Sequence, residues 1–162
     1  MTRAVFVVLV LNGCVARRAH VAQTLEGRYV PGTPQDAAWT AEDPGGADHA
    51  WWNAALGASL YTDSNCGARF EDAPLPMLVN RLLAGITDHE DVDERQLVVG
   101  ERGALYRARQ GSMDGVPIRV GAVVMKKDAC TYDFVLVARP DTYEAALPAL
   151  WDVVDGYTQV DR

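Results

Sequence analysis

Hydrolysis by a serine nucleophile needs that serine on a sharp elbow, and the nearest string to such a signature is Gly111-Ser112-Met113-Asp114-Gly115. It does not have the G-x-S-x-G form, so it reads as a hairpin turn. The imidazoles are His20, His49 and His89, and none sits in an H-E-x-x-H arrangement. All three fall in stretches that read as tether or loop, which makes them solvated histidines rather than zinc ligands. Asp88, Glu90, Asp91, Asp93 and Glu94 crowd into one short segment, and hard cations favour carboxylate oxygens. The glycine and ligand spacing of an EF-hand are missing, so a solvated acidic loop is expected there. Lys126-Lys127-Asp128 reads as a polar hairpin tip. There is no P-loop, no G-x-G-x-x-G and no paired-cysteine zinc signature. The expectation is therefore no catalytic residue, no metal and no cofactor. Trp39, Trp51, Trp52 and Trp151 could line a ligand cleft, with Trp51 and Trp52 the foremost candidates, although aromatics at such spacing more often build a core.

Cysteine chemistry is more informative. Cys14 closes a segment with one positive charge at Arg3, an apolar run from Ala4 to Leu11, and then Leu11-Asn12-Gly13-Cys14, the layout of a short secretory signal. About eight apolar residues rise only ~12 Å as a helix, far less than the ~30 Å of a bilayer's hydrocarbon, so the run cannot span one alone. Leu11, Gly13 and Cys14 resemble the lipobox of bacterial lipoproteins, from which Asn12 departs. That resemblance implies a signal peptide over residues 1–13, lipidation of Cys14 by palmitate-like chains, and a tether over residues 14–27. Val15 after the cysteine implies delivery to the outer membrane, facing the periplasm. The alternative is a buried first strand from Val5 to Leu11 with an incidental cysteine.

Setting Cys14 aside leaves Cys66 and Cys130, an even number in a chain folding in an oxidising compartment. They are a candidate disulfide, which would close a loop of about 65 residues and stabilise the fold by roughly 4 kcal/mol. Two separate buried thiols are the alternative.

The bulk numbers fit this address. A chain of 162 residues has the size of one domain, taken as residues 28–162, and its apolar and charged fractions are those of a folded globular protein. Its 22 acidic against 15 basic residues give a net charge of -7 and leave no basic stripe for a phosphate backbone, which argues against a nucleic-acid partner. The same charge repels anionic lipid, so membrane attachment must come from acyl chains, two or more of which anchor stably.

Several elements follow from periodicity. Three prolines and three glycines between Pro31 and Ala47 read as a loop interrupted by a short strand near Ala38 to Ala41. Trp51 to Thr62 reads as one or two strands, and its adjacent tryptophans would face opposite sides of a sheet covered on both faces. Leu75, Leu78, Val79, Leu82, Leu83 and Ile86 recur at three- and four-residue spacing, which predicts an amphipathic helix over Pro74 to Ile86. Strands are expected at Gln96–Val99, Gly103–Gln110, Pro117–Lys126 and Thr131–Ala138, joined by tight turns as an antiparallel meander. Asp141 and Glu144 form a capping-box pattern before a closing helix with Leu147, Leu150, Trp151, Val154 and Tyr157 on its apolar face, and Pro148 is placed to delay or kink it.

This order resembles the PsbP-type α/β/α sandwich, an α+β fold with an antiparallel sheet flanked by helices, and within bacteria it is similar to PsbP-like lipoproteins of the DcrB kind. The likeness rests on Ser59-Leu60-Tyr61 followed by the Pro74 to Ile86 helix, on Gly103-Ala104-Leu105-Tyr106, the Asp114-Gly115 hairpin, Tyr132-Asp133-Phe134-Val135-Leu136, and the closing helix. A lipocalin-like or cystatin-like sheet is the rival fold. The resemblance implies a non-enzymatic accessory role in the cell envelope, docking on a membrane or periplasmic assembly through an unnamed protein partner. The alternative is a carrier or sensor of a small hydrophobic ligand, held in a cleft between sheet and helix near Trp51 or Trp52. An enzyme with an unrecognised site is a third class.

Overall fold

The computed structural model describes residues 29–67 and 73–160 of the chain. The signal segment, the tether, His20 and the lipidation candidate Cys14 lie outside the described residues. The elements run β1 Tyr29–Val30, β2 Thr40–Glu42, β3 His49–Asn53, β4 Ala58–Cys66, α1 Leu75–Leu82, β5 Thr87–Val99, β6 Arg102–Met113, β7 Val116–Lys127, β8 Cys130–Ala138, α2 Tyr143–Asp155 and β9 Thr158–Gln159. Seven of the strands form one antiparallel sheet in the order β2-β3-β4-β8-β7-β6-β5, while β1 and β9 pair as a small separate ribbon.

Three successive two-residue turns build the meander from β5 to β8. Gly100 and Glu101, Asp114 and Gly115, and Asp128 and Ala129 all take positive φ at both central positions. That conformation matches the right-handed twist of the flanking strands, and it explains why glycine and aspartate recur at the turns. The chain then closes by setting β8 against β4, with Leu60 opposite Leu136 and Cys66 opposite Cys130.

Strand alternation sorts the apolar side chains onto two faces. On one face Leu60, Tyr106, Val123, Met125, Tyr132, Phe134 and Leu136 pack against Tyr143, Ala146, Leu150, Val153 and Val154 of α2. On the other, Leu105, Val120, Ala122, Val124 and Val135 pack against Leu78, Val79 and Leu83 in and just beyond α1. One close approach stands out at Gly121 on β7, where a Cβ would sit 1.9 Å from the Tyr143 hydroxyl oxygen. That hydroxyl is hydrogen-bonded to the Tyr106 hydroxyl at 3.0 Å, and the Arg119 guanidinium lies 4.3 Å over the Tyr143 ring. Gly121→Ala is therefore expected to push Tyr143 out of its seat and lower stability by about 1–3 kcal/mol, read from the denaturant midpoint.

Several expectations need correcting. The acidic segment is not a solvated loop but the first half of the 13-residue β5, whose pairing with β6 is interrupted by irregularities between Thr87 and Glu90 and between Asp91 and Asp93. Two of its carboxylates, Asp91 and Glu94, find arginine partners on β6, which periodicity alone does not reveal. The capping box does not form: Thr142 is the N-cap of α2, and its hydroxyl donates to the Leu56 carbonyl at 2.8 Å. Helix α1 stops at Leu82, and Gly85 takes a positive φ just beyond it. His49 is not solvated; it is half-buried and stacks on Trp51. The sheet is not covered on both faces at the tryptophan pair, because Trp52 remains 41% exposed.

Candidate functional site

The sequence candidates separate. Trp51 is buried in the core on the α2 side, opposite Leu60, whereas Trp52 projects from the other face near the sheet edge. Adjacent residues on a strand point to opposite faces, so the two cannot share a cleft. Neither lines the cavity between sheet and helix. His89 is exposed on β5, its Nδ1 2.9 Å from the Ile86 carbonyl oxygen. Trp151 lies in α2 against the Tyr106 ring. Among the described residues no group of three or more His, Cys, Asp or Glu is placed to hold a metal ion.

Cys66 and Cys130 are joined as a disulfide. They lie directly opposite each other at the end of the β4 and β8 ladder, so the bond holds that pairing in register. The register matters because the next positions, on the face toward α1, are all polar. Asn65 stands opposite Thr131 and Asp63 opposite Asp133, placing four oxygen-bearing side chains in a square on two neighbouring strands. Leu78, Arg81 and Leu82 of α1 form the facing wall, and a cavity of about 140 Å³ lies between.

The electrostatics of this cavity centre on Asp133. Its side chain is only 9% exposed and accepts no hydrogen bond among the described residues. Burial, reinforced by the negative charge of Asp63 and opposed by Arg81, pushes its carboxyl up to about 7. Asp63 accepts a hydrogen bond from the Asn65 amide at 2.9 Å, and the Thr131 hydroxyl donates to the Asn65 carbonyl at 3.3 Å. Tyr61, one position along the same face of β4, is raised by burial and then by Asp133 and Asp63. Sequence reasoning missed this site. Its trace was a carboxylate within the apolar run Tyr132-Asp133-Phe134-Val135, an expensive placement for an acid unless the fold uses it.

On the far side of α1 a second polar cluster is internally satisfied. Arg107 donates to Glu94 and Asn80, while Arg109 donates to both oxygens of Asp91, at 2.6 and 3.1 Å, and to Asn80 at 3.2 Å. The hydrogen bond from Arg109 foremost holds the Asp91 carboxyl below the usual range. Asp91→Ala is expected to cost about 1 kcal/mol at pH 7, since the pair is partly solvent-screened. A lowered folded value means that Asp91 contributes fully above its unfolded pKa and loses that contribution as the pH falls through the folded one. The variant's deficit should therefore vanish in acid, as urea titrations at two pH values would read.

No protein family and no curated protein matches the sequence. Solved structures do match in fold. LpqN of Mycobacterium tuberculosis, a protein involved in cell envelope biogenesis, superposes with a TM-score of 0.61 at 13% identity, covering 86% of this chain and 88% of that one. Cyanobacterial PsbP from Synechocystis superposes at 0.52 and 12% identity, covering 76% and 83%. A Pseudomonas aeruginosa protein of unknown function gives 0.50 at 18% identity, covering 79% and 85%. Identities this low establish fold alone: the chain has a PsbP-like fold, largely antiparallel sheet with two described helices.

Proposed function

We propose that this chain is a non-enzymatic, envelope-associated accessory module, tethered at the outer membrane through lipid on Cys14 and facing the periplasm. Its PsbP-like domain, with one helix on each face of the sheet in the manner of an α/β/α sandwich, docks on a membrane or periplasmic protein assembly. The observation that carries this reading is the bond between Cys66 and Cys130, because structural disulfides persist in oxidising compartments and are rare where glutathione keeps thiols reduced. The shared fold with an envelope-biogenesis protein supports the same location. A chain with a net charge of -7 is repelled by anionic lipid, so the acyl chains carry the attachment.

The test compares the native chain with Cys14→Ser in its own host. Fractionation should place the native chain in the envelope pellet and the variant in the soluble periplasmic extract. Cross-linking in intact envelopes should capture one reproducible partner for the native chain. A native chain found in the cytosol, or a cross-linked envelope that yields no reproducible partner, would overturn the reading.

A further inference from the structure

We propose that a strip of the sheet beside α1, running from Trp52 to the tip of the β6–β7 hairpin, docks an amphipathic helix of a partner protein that carries lysine or arginine on its flanks. This rests on the docking reading above and names the surface it uses. The registers place the strip. Trp52 stands opposite Ser59, Ser59 opposite Val137, and Val137 opposite Val120. Trp52 and Val137 therefore project from the same face as Val120, which packs with Leu78, Val79 and Leu83 on the α1 side. Ile118 and Val116 share that face at alternate positions of β7, and Met113 stands opposite Val116 across the Asp114-Gly115 turn. Trp52, Val116 and Met113 are 41, 57 and 40% exposed, and Ile118 and Val137 between them are half-buried. Single exposed apolar side chains are ordinary on a surface, whereas a contiguous run of them marks an interaction site.

The shape selects a helix. On the opposite face α2 has 13 residues, whereas α1 has 8, about 12 Å, and packs chiefly on β6 and β7, which leaves Trp52 on β3 exposed. Strands add to a sheet at its edges, and its faces are buried by helices or by a second sheet. The strip is one to two side chains wide, the width of a helix's apolar stripe. It crosses four strand spacings, about 19 Å, and descends four residues of β7, about 13 Å, so its diagonal of about 23 Å matches a helix of roughly 15 residues. The charge selects a basic one. Glu42 lies two positions beyond Thr40, the β2 residue opposite Trp52, and Asp114 sits in the turn at the other end of the strip. Arg139, just after β8, is paired with Asp141 at 3.3 Å, and Arg81 of α1 lines the cavity with Asp63 and Asp133. A net charge of -7 opposes a second copy laid against the same face and favours a cationic partner.

The test has two arms. In the first, the full chain is titrated with a helical peptide of about 15 residues, leucines at three- and four-residue spacing and lysines elsewhere, and with its counterpart bearing glutamates for lysines. Backbone amide NMR should show saturable shifts at the strip residues and their strand neighbours for the lysine peptide, with the glutamate peptide at least about tenfold weaker. Trp52→Ser combined with Val116→Ser, both at exposed positions, should weaken the lysine peptide by about tenfold or more while keeping the native spectrum elsewhere. In the second arm a photo-crosslinking residue replaces Val116, or Val98 at the opposite end of the sheet, in the chain expressed in its own host. A cross-link from position 116 and not from 98, mapped to an amphipathic segment bearing lysine or arginine, is the expected result. A partner captured from 98 alone would overturn the strip and leave the docking reading standing, whereas capture from neither position is the failure of the docking reading and takes the strip with it. No saturable shift on the strip, or equal responses to the two peptides in the native chain, would overturn the proposal whether or not the variant folds. Dimerisation of the native chain that Val116→Ser abolishes would assign the face to a second copy and overturn it as well.

Discussion

Removing the Cys66–Cys130 bond, by reduction or by Cys66→Ala with Cys130→Ala, is expected to lower the unfolding free energy by about 4 kcal/mol. The bond closes a loop spanning 64 positions, so it restricts the unfolded chain far more than a local hairpin cross-link would. It also fastens the ladder joining β4 to β8, the pairing that brings the N-terminal strands β2 to β4 against the meander. Typical domains have a total margin of ~5–15 kcal/mol, so the loss is a large fraction of it. Equilibrium urea unfolding under oxidising and reducing conditions reads the difference. Curves that coincide would show that the ladder holds itself without the bond.

The second large effect concerns Asp133. In the folded chain its carboxyl titrates near 7, while an unfolded aspartate titrates near ~4. Between those values the folded chain holds one proton more than the unfolded chain, so the slope of stability against pH is negative there. Stability should fall as the pH rises from about 4 to about 7 and level off above, the ionised form being the poorly accommodated one. Asp133→Asn removes that burden. It should match the native chain near pH 4 and exceed it at pH 8 by on the order of 3 kcal/mol. An Asn variant less stable than the native chain at pH 8 would mean that ionised Asp133 is paired and stabilising.

The meander was legible because its signals are local. Asp114-Gly115 names a tight turn by residue type, and the alternation on either side of it fixes two strands without knowledge of the partner. Helix α1 was legible for the same reason, since Leu75, Leu78, Val79 and Leu82 mark one face by spacing alone. Strand β5 was not. Asp91 and Glu94 are strand residues only because Arg109 and Arg107 lie across the ladder, and a run of acids carries no trace of a partner more than ten positions away. The capping box failed through a tertiary contact, Thr142 reaching 86 positions back to Leu56. The opposed carboxylates were invisible for a similar reason. Asp63 and Asp133 are separated by most of the sheet's sequence and become neighbours only through the β4–β8 register. Cys66 and Cys130 were readable as a pair by elimination once Cys14 was assigned elsewhere, and their partnership set that register.

The reading of an envelope module rests on where the chain is processed and oxidised. Intact-mass analysis of the protein purified from its host's envelope, without reductant, tests this most directly. A mature chain beginning at a diacylated Cys14 and lighter by two hydrogen atoms for the Cys66–Cys130 disulfide is the expected result. A mass corresponding to an intact Met1, with unmodified thiols at all three cysteines, would contradict it.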